Sequence, residues 1–395
     1  VRAMTVTQIR VISTTQILSL TTTNIATLSS TQVGALTTGQ IQAMTATQVG
    51  SLESTNMRAL GEAQLKSLSS TQMGALTATQ IAGLSTTQIN ALSVHGINAA
   101  QIAALTTGQM PSLTSLQIAA MTTTQLAGLN ATNVAVLSMT QLRGISVVQI
   151  ASLNTTQING LTSSQIKVLA TSQVKALTAT QLQYLSTTQV GALSTAQIAT
   201  LSSIQIGGLL STLIGVLTTE QIRGFAVTQI EALTTTQQGG LTSSQIKVLT
   251  TSQVKGLTAT HLQNLNTTQV GALTTAQIAT LTSTQVGGLL STSISVLTTE
   301  QIKGVTVTQI EALTSTQQGA LTSSQIKVLS KSQVKGLTAT QLQHLNTTQV
   351  GALTSDQISI LTTTQMAGLE STSIAVLTTT QIKGLSTTQI GSLDA

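Results

Sequence analysis

Three histidines, four Asn-x-Thr triplets, several glycine pairs and a dense supply of serine and threonine are the residues of this chain that could do chemistry. A histidine can ligate a metal or take a proton, but His95, His261 and His344 lie far apart, and none has a carboxylate or a second histidine at ligand spacing. A hydroxyl nucleophile needs a base within reach and a group behind it to orient the base, and the serines and threonines recur without either. Gly207-Gly208 and Gly287-Gly288 are not phosphate loops, because no GxxxxGK(S/T) occurs; they read as helix ends. The triplets at Asn130, Asn154, Asn266 and Asn346 match a glycosylation acceptor, yet all four asparagines hold one position of a short repeat. The sequence therefore predicts no catalytic, metal-binding or cofactor-binding residue, no cofactor, and no enzymatic activity.

What positions these residues is an eight-residue sentence, Leu-(Ser/Thr)-x-x-Gln-(Ile/Val)-x-x, whose positions we label a to h with Leu at a. Its apolar mark runs in steps of eight from Met4 to Leu92, slips once where Ser93-Val94-His95-Gly96-Ile97 replaces a full unit, and resumes from Ile97 to Leu393. A longer period lies on top. LTTEQIRGF from Leu217 returns as LTTEQIKGV from Leu297, and LTSSQIKVL recurs from Leu161, Leu241 and Leu321. Each interval is ten octads, an 80-residue superperiod from about 137 onward. Ten octads would suit an integral number of superhelical turns. Marker units depart from the sentence at the same spacing: LLSTLIGVL from Leu209, LLSTSISVL from Leu289 and LESTSIAVL from Leu369. No composition shift or linker divides the chain, and the expectation is one continuous array over residues 1–395.

Position b is Thr, Ser or Asn in nearly every unit, with Gly61 and Asp394 as occasional substitutes, which is the set that caps helix N-termini. Gln three residues later completes a capping box, and the flanking Leu and Ile then sit where a hydrophobic staple needs them. Charges agree with the polarity of such a turn. Glu220, Glu300 and Asp356 fall at d, whereas Arg143, Lys167, Lys247, Lys303, Lys327 and Lys383 fall at g. One continuous helix fails, because at ~100° per residue the apolar stripe would rotate by about 80° per octad. A straight strand fails too, since a and f have opposite parity. The fold class expected is all-α, a solenoid of helices one to two turns long, one per octapeptide, around a continuous apolar axial core; a parallel β-solenoid with a corner in each octad is the rival. Gly and Ala dominate g and h, which lets a short helix end and its neighbours approach closely, and Pro111 at g sits awkwardly in so short a turn.

Composition bounds the partners. The apolar fraction is 41% and the mean hydropathy +0.33, too high for a disordered tract. Only 6% of residues are charged, against roughly 25% in ordinary soluble proteins, so little like-charge repulsion keeps copies apart and self-association is expected. Scattered Lys and Arg, with Tyr184 and Phe225 the only aromatics, argue against nucleic acid. No stretch approaches the ~18 apolar residues of a membrane helix. The absence of cysteine excludes disulfides and thiolate metal sites.

Over its whole length the octad pattern resembles the long octapeptide arrays of giant secreted or surface proteins of proteobacteria, adhesin-like in character. That resemblance implies an extracellular or cell-surface setting and a role as stalk, fibre or matrix component. The function expected is a structural repeat rod of a bacterial extracellular filament, matrix fibre or giant adhesin, acting by length and self-association, with itself as partner and a cell-surface or glycan contact as a further one. The alternative is a surface-binding module that meets ice or glycan through a Thr-rich face.

Overall fold

The computed structural model describes residues 1–393; the expected cap at Asp394 lies outside the described residues. Among them are 47 α-helices of four to six residues and two 3₁₀ turns, and no strand. The all-α solenoid is the observed class, and the β-solenoid with its flat threonine array is not formed.

Most helices begin as the octad predicts. Thr274 is extended (φ −76°, ψ 158°) and its hydroxyl accepts from the Gln277 backbone N–H at 3.2 Å, while its own N–H donates to Gln277 Oε1 at 2.6 Å. The helix Thr275–Thr280 then ends by a tightened bond, Leu281 N–H to the Ile278 carbonyl at 3.1 Å, with Leu281 itself extended. Extension at a delivers the chain directly into the next cap. Charged residues at the turn ends lie where the helix dipole favours them, Glu220 in a first turn and Arg223, Lys167 and Lys247 in last turns.

The helices fall into two compact units, Val1–Thr200 and Leu201–Ala395. In the first, Ala131–Ala135 packs on Thr155–Gly160; in the second, Thr275–Thr280 packs on Thr299–Gly304. Both pairs are three octads apart, and this step recurs through each unit. Side chains follow the same spacing: Ser163 Oγ donates to the Thr188 carbonyl in the first unit and Ser355 Oγ to the Thr380 carbonyl in the second, each 25 residues on. One turn therefore holds between three and four octads, which makes a block of ten octads about three turns. Positions f and a fill the axis. Ile166, Val190 and Val254 at f are fully buried and Leu177 and Leu241 at a nearly so, pooling a core that no single short helix could build.

Glycine at h closes helices as expected, as Gly240 and Gly288 do, in the right-handed conformation. No residue among those described has a positive φ, so the ends use no left-handed turn. What the structure requires is close approach at h. A Cβ on Gly240 would lie 2.7 Å from the Ser211 carbonyl oxygen, and one on Gly160 would lie 2.6 Å from that of Ala131, in each case against a helix one turn below. Gly239, one position before, has nothing within 4 Å.

Two irregularities in the first unit are accommodated without loss of stacking. The slip deletes c, d and e: Ser93 is extended, Val94–Gly96 forms a 3₁₀ turn, and buried Val94 takes the place of f. Pro111 at g turns its unit into the 3₁₀ segment Met110–Ser112, whose start is still held by the Thr106–Gln109 pair.

The glycine geometry predicts opposite outcomes for adjacent substitutions. Gly240→Ala should destabilise by about 1–3 kcal/mol through overpacking, whereas Gly239→Ala should be neutral or stabilise by about 0.5–1 kcal/mol through reduced unfolded-state entropy. Thermal or urea unfolding of the two variants reads the difference; equal effects would contradict the close approach at h.

Candidate functional site

The most repeated chemical group is the glutamine at e, and it is buried. In the first unit Gln157 accepts from the Asn154 backbone N–H through Oε1 at 2.9 Å and donates through Nε2 to the carbonyls of Leu126 and Leu129, both at 2.7 Å. In the second, Gln253 accepts from Thr250 N–H at 2.8 Å and donates to the Ile222 carbonyl at 2.9 Å and the Phe225 carbonyl at 2.8 Å. The targets stand 31 and 28 residues earlier, at f of one octad and a of the next. Those carbonyls include the ones a helix end leaves without an internal partner. One amide thus completes the start of its own helix and the end of a helix one turn below.

Sequence reasoning found the first half of this and missed the second. A signal was present: a capping box accepts Glu as readily as Gln, yet no e position in the chain holds Glu or Asp. An amide carries an acceptor and donors together; an ionised carboxylate cannot donate. Shorter asparagines reach less far, Asn56 to the Leu28 carbonyl at 2.6 Å and Asn133 to that of Leu105 at 2.9 Å.

The expected chemical candidates are not brought together. His95 and His344 are exposed and His261 is buried, and among the described residues no three His, Asp or Glu side chains gather as a metal site would need. Asn130, Asn154, Asn266 and Asn346 each accept, through the side-chain oxygen, the backbone N–H three residues on. Gly208 and Gly288 close helices. The ion pairs Lys66–Glu62, Lys303–Glu300 and Lys331–Asp356 are all exposed, where such pairs contribute little.

His261 stands at e. Its Nδ1 accepts from Thr258 N–H at 3.2 Å, so the neutral ring takes over the acceptor half of the glutamine's task. Burial lowers its pKa below the ordinary 6.5, with Glu231 partly opposing that shift. Ten octads later Gln341 occupies the same place and donates to the carbonyls of Glu311 at 3.0 Å and Leu313 at 3.1 Å.

Between octads the surface forms shallow, hydroxyl-lined corner grooves. One of about 510 Å³ in the first unit is lined by Thr86, Thr87, Asn90, Pro111, Thr114 and Ser138, among others, and another of about 340 Å³ in the second lies beside Lys247 and Thr275. Neither gathers titratable groups around a reacting centre.

The same sentence is known from other proteins. Residues 49–86, 134–171, 247–283, 326–363 and 340–371 match the family model described as the ALTTAQ repeat. The chain is a repeat array. The six letters of that description stand here at Ala272–Gln277, from the small residue at h through the staple leucine and the cap to the glutamine. No curated protein matches the chain.

Two substitutions test the double role of e. Gln253→Glu keeps an acceptor for Thr250 but turns a carboxylate towards carbonyl oxygens, and should cost about 3 kcal/mol or more at neutral pH; the loss should shrink as pH falls towards the ordinary glutamate value of about 4.3, where the protonated acid donates again. Because the neutral ring is the form the fold prefers, the stabilisation from His261 is complete above pH 6.5 and is lost as pH falls through its lowered pKa. His261→Gln should remove that acid-side loss and raise stability, and an unchanged pH profile of unfolding would contradict the assignment.

Proposed function

We propose that this chain is the repetitive segment of a bacterial extracellular filament, matrix fibre or giant adhesin, acting by length and by self-association and carrying no catalytic role. The observation that supports the reading most is where the polar chemistry goes. The cap hydroxyls and the buried glutamines, the most regular polar groups in the chain, are used up inside the fold, the hydroxyls in closing the start of their own helix and the glutamines in joining each octad to those 28 to 31 residues away. What remains outside is a surface of Thr, Ser, Gln, Ala and Gly with few charges. Such a surface offers weak repulsion between copies and many hydroxyl partners, which favours lateral association. The extracellular or cell-surface setting rests on the resemblance to octapeptide arrays of large secreted proteins.

A second reading is favoured by the corner grooves. The groove of about 510 Å³ combines hydroxyls, the Asn90 amide and the Pro111 ring, which suits a glycan. The ice-binding form of that reading needed a flat strand-borne threonine array, and no strand is present among the described residues.

Light scattering and negative-stain imaging of the purified chain separate these readings. Concentration-dependent filaments or bundles that persist in high salt are expected, since the exposed ion pairs are few. Dispersed monomers at all concentrations would sink the assembly reading, and saturable binding on a glycan array by such monomers would support the second.

A further inference from the structure

The glutamine clasp is not continuous, and its interruptions recur. In two of the three marker units of the second unit e is Ser293 or Ser373, and b is Leu290 or Glu370. None of these four residues makes the side-chain cap, and the two serines are too short to reach a carbonyl a turn below. A glutamine at 293 would have served the carbonyls of Leu262 and Leu265, as Gln325 serves those of Ile294 and Leu297. Instead Ser293 is buried at 1% exposure and its Oγ has no hydrogen-bond partner.

A second departure is stacked on the first. The helix Ser291–Ser295 packs against Ser315–Gly319, and that unit carries Gln318 where every regular octad has an aliphatic residue facing the axis. Gln318 is fully buried. Its Nε2 turns back to the Leu313 carbonyl at 3.2 Å, and its Oε1 has no partner. The same combination stands ten octads earlier: Ser211–Gly215, with uncapping Leu210 and with Leu213 at e, packs against Thr235–Gly239, whose buried Gln238 likewise leaves Oε1 unpartnered. Missing cap, missing clasp and buried unpartnered amide therefore coincide, and each lowers the free energy of local opening relative to the octads on either side.

We propose that the marker units are breakable joints: the segments 289–297 and 313–321, and the carbonyl-bearing stretch 258–265 that lacks its amide, open as a group before the rest of the second unit. The joint is a conformational device built from hydrogen bonds that most octads make and that the marker units withhold once in every ten octads. Opening exposes Leu289, Ile294 and the edge of the axial core without unravelling the clasped octads between joints. If the chain bears tension as the proposed filament segment, it would yield at these joints first; that mechanical consequence rests on the filament reading, whereas the opening itself does not.

Native-state hydrogen exchange followed by mass spectrometry on the full chain tests the opening alone. Amides of 290–297 and 314–321 should exchange at least tenfold faster than those of the clasped octads 241–256 under the same conditions. Restoring the regular sentence with Leu290→Thr and Ser293→Gln together should slow exchange in both 258–265 and 290–297 by tenfold or more. As a converse, Gln277→Ser in a regular unit should create a new fast segment around Ile246–Leu249, the carbonyls it now holds. Uniform exchange across 241–321 in the natural chain would overturn the proposal, as would a repaired variant that folds with local rates unchanged.

Discussion

Everything in this fold depends on one constraint, that a helix of five or six residues has almost no interior. Its first N–H groups and its last carbonyls are most of what it has, so both ends must be satisfied from outside or the backbone is buried without partners. The glutamine amide meets both needs with two atoms separated by a single carbon. Oε1 closes the N-terminus locally and Nε2 closes a C-terminus a turn away, as for Gln157 between Asn154 and the Leu126 and Leu129 carbonyls. The axial core of Ile and Leu supplies the non-directional attraction, and the amide ties together octads that face one another.

That division explains what could be read in the sequence. The cap, box and staple are local, separated by three or four residues, and the octad displays them plainly; helix class, helix starts and the apolar axis followed from them. The reach of Nε2 is non-local, and no spacing within a single octad encodes a partner a full turn earlier, as Leu126 is for Gln157. Only the strict preference for an amide over a carboxylate at e betrays it. The small residues at h were legible as small, and both reasons given for them hold. Close approach, as at Gly240 over Ser211, requires them small, and helices close on them, as at Gly240 and Gly288, with every φ among the described residues negative.

The slip at 93–97 shows which half of the octad is indispensable to stacking. Deleting c, d and e removes the helix and its glutamine, yet Val94 still occupies an f position and Gln125 still donates to the Val94 and Ile97 carbonyls, both at 2.6 Å. Gln101, counted across the deletion, reaches Met73 and Leu76 at separations of 28 and 25 rather than 31 and 28, a shift of three residues. The turn below is thus addressed by stacking slot and not by residue count. The carbonyls of Leu65 and Leu68, which the deleted glutamine would have reached, receive no side-chain amide among the described residues.

An octad therefore has two separable parts, a half from f to the next a that fills the axis and offers carbonyls, and a half from b to e that caps and clasps. Losing the second half leaves a slot filled but untied; the marker units do the same by substitution, and the slip does it by deletion. Because a regular octad contacts only those about one turn away, whole octads can be added or removed without any distant compensation. Blocks of ten whole octads add one further property: they copy each substitution together with the neighbour it packs against three octads on. Repetition at that length therefore preserves neighbours, which is why the departures at Ser293 and Gln318 stand in the same stacked relation as those at Leu213 and Gln238.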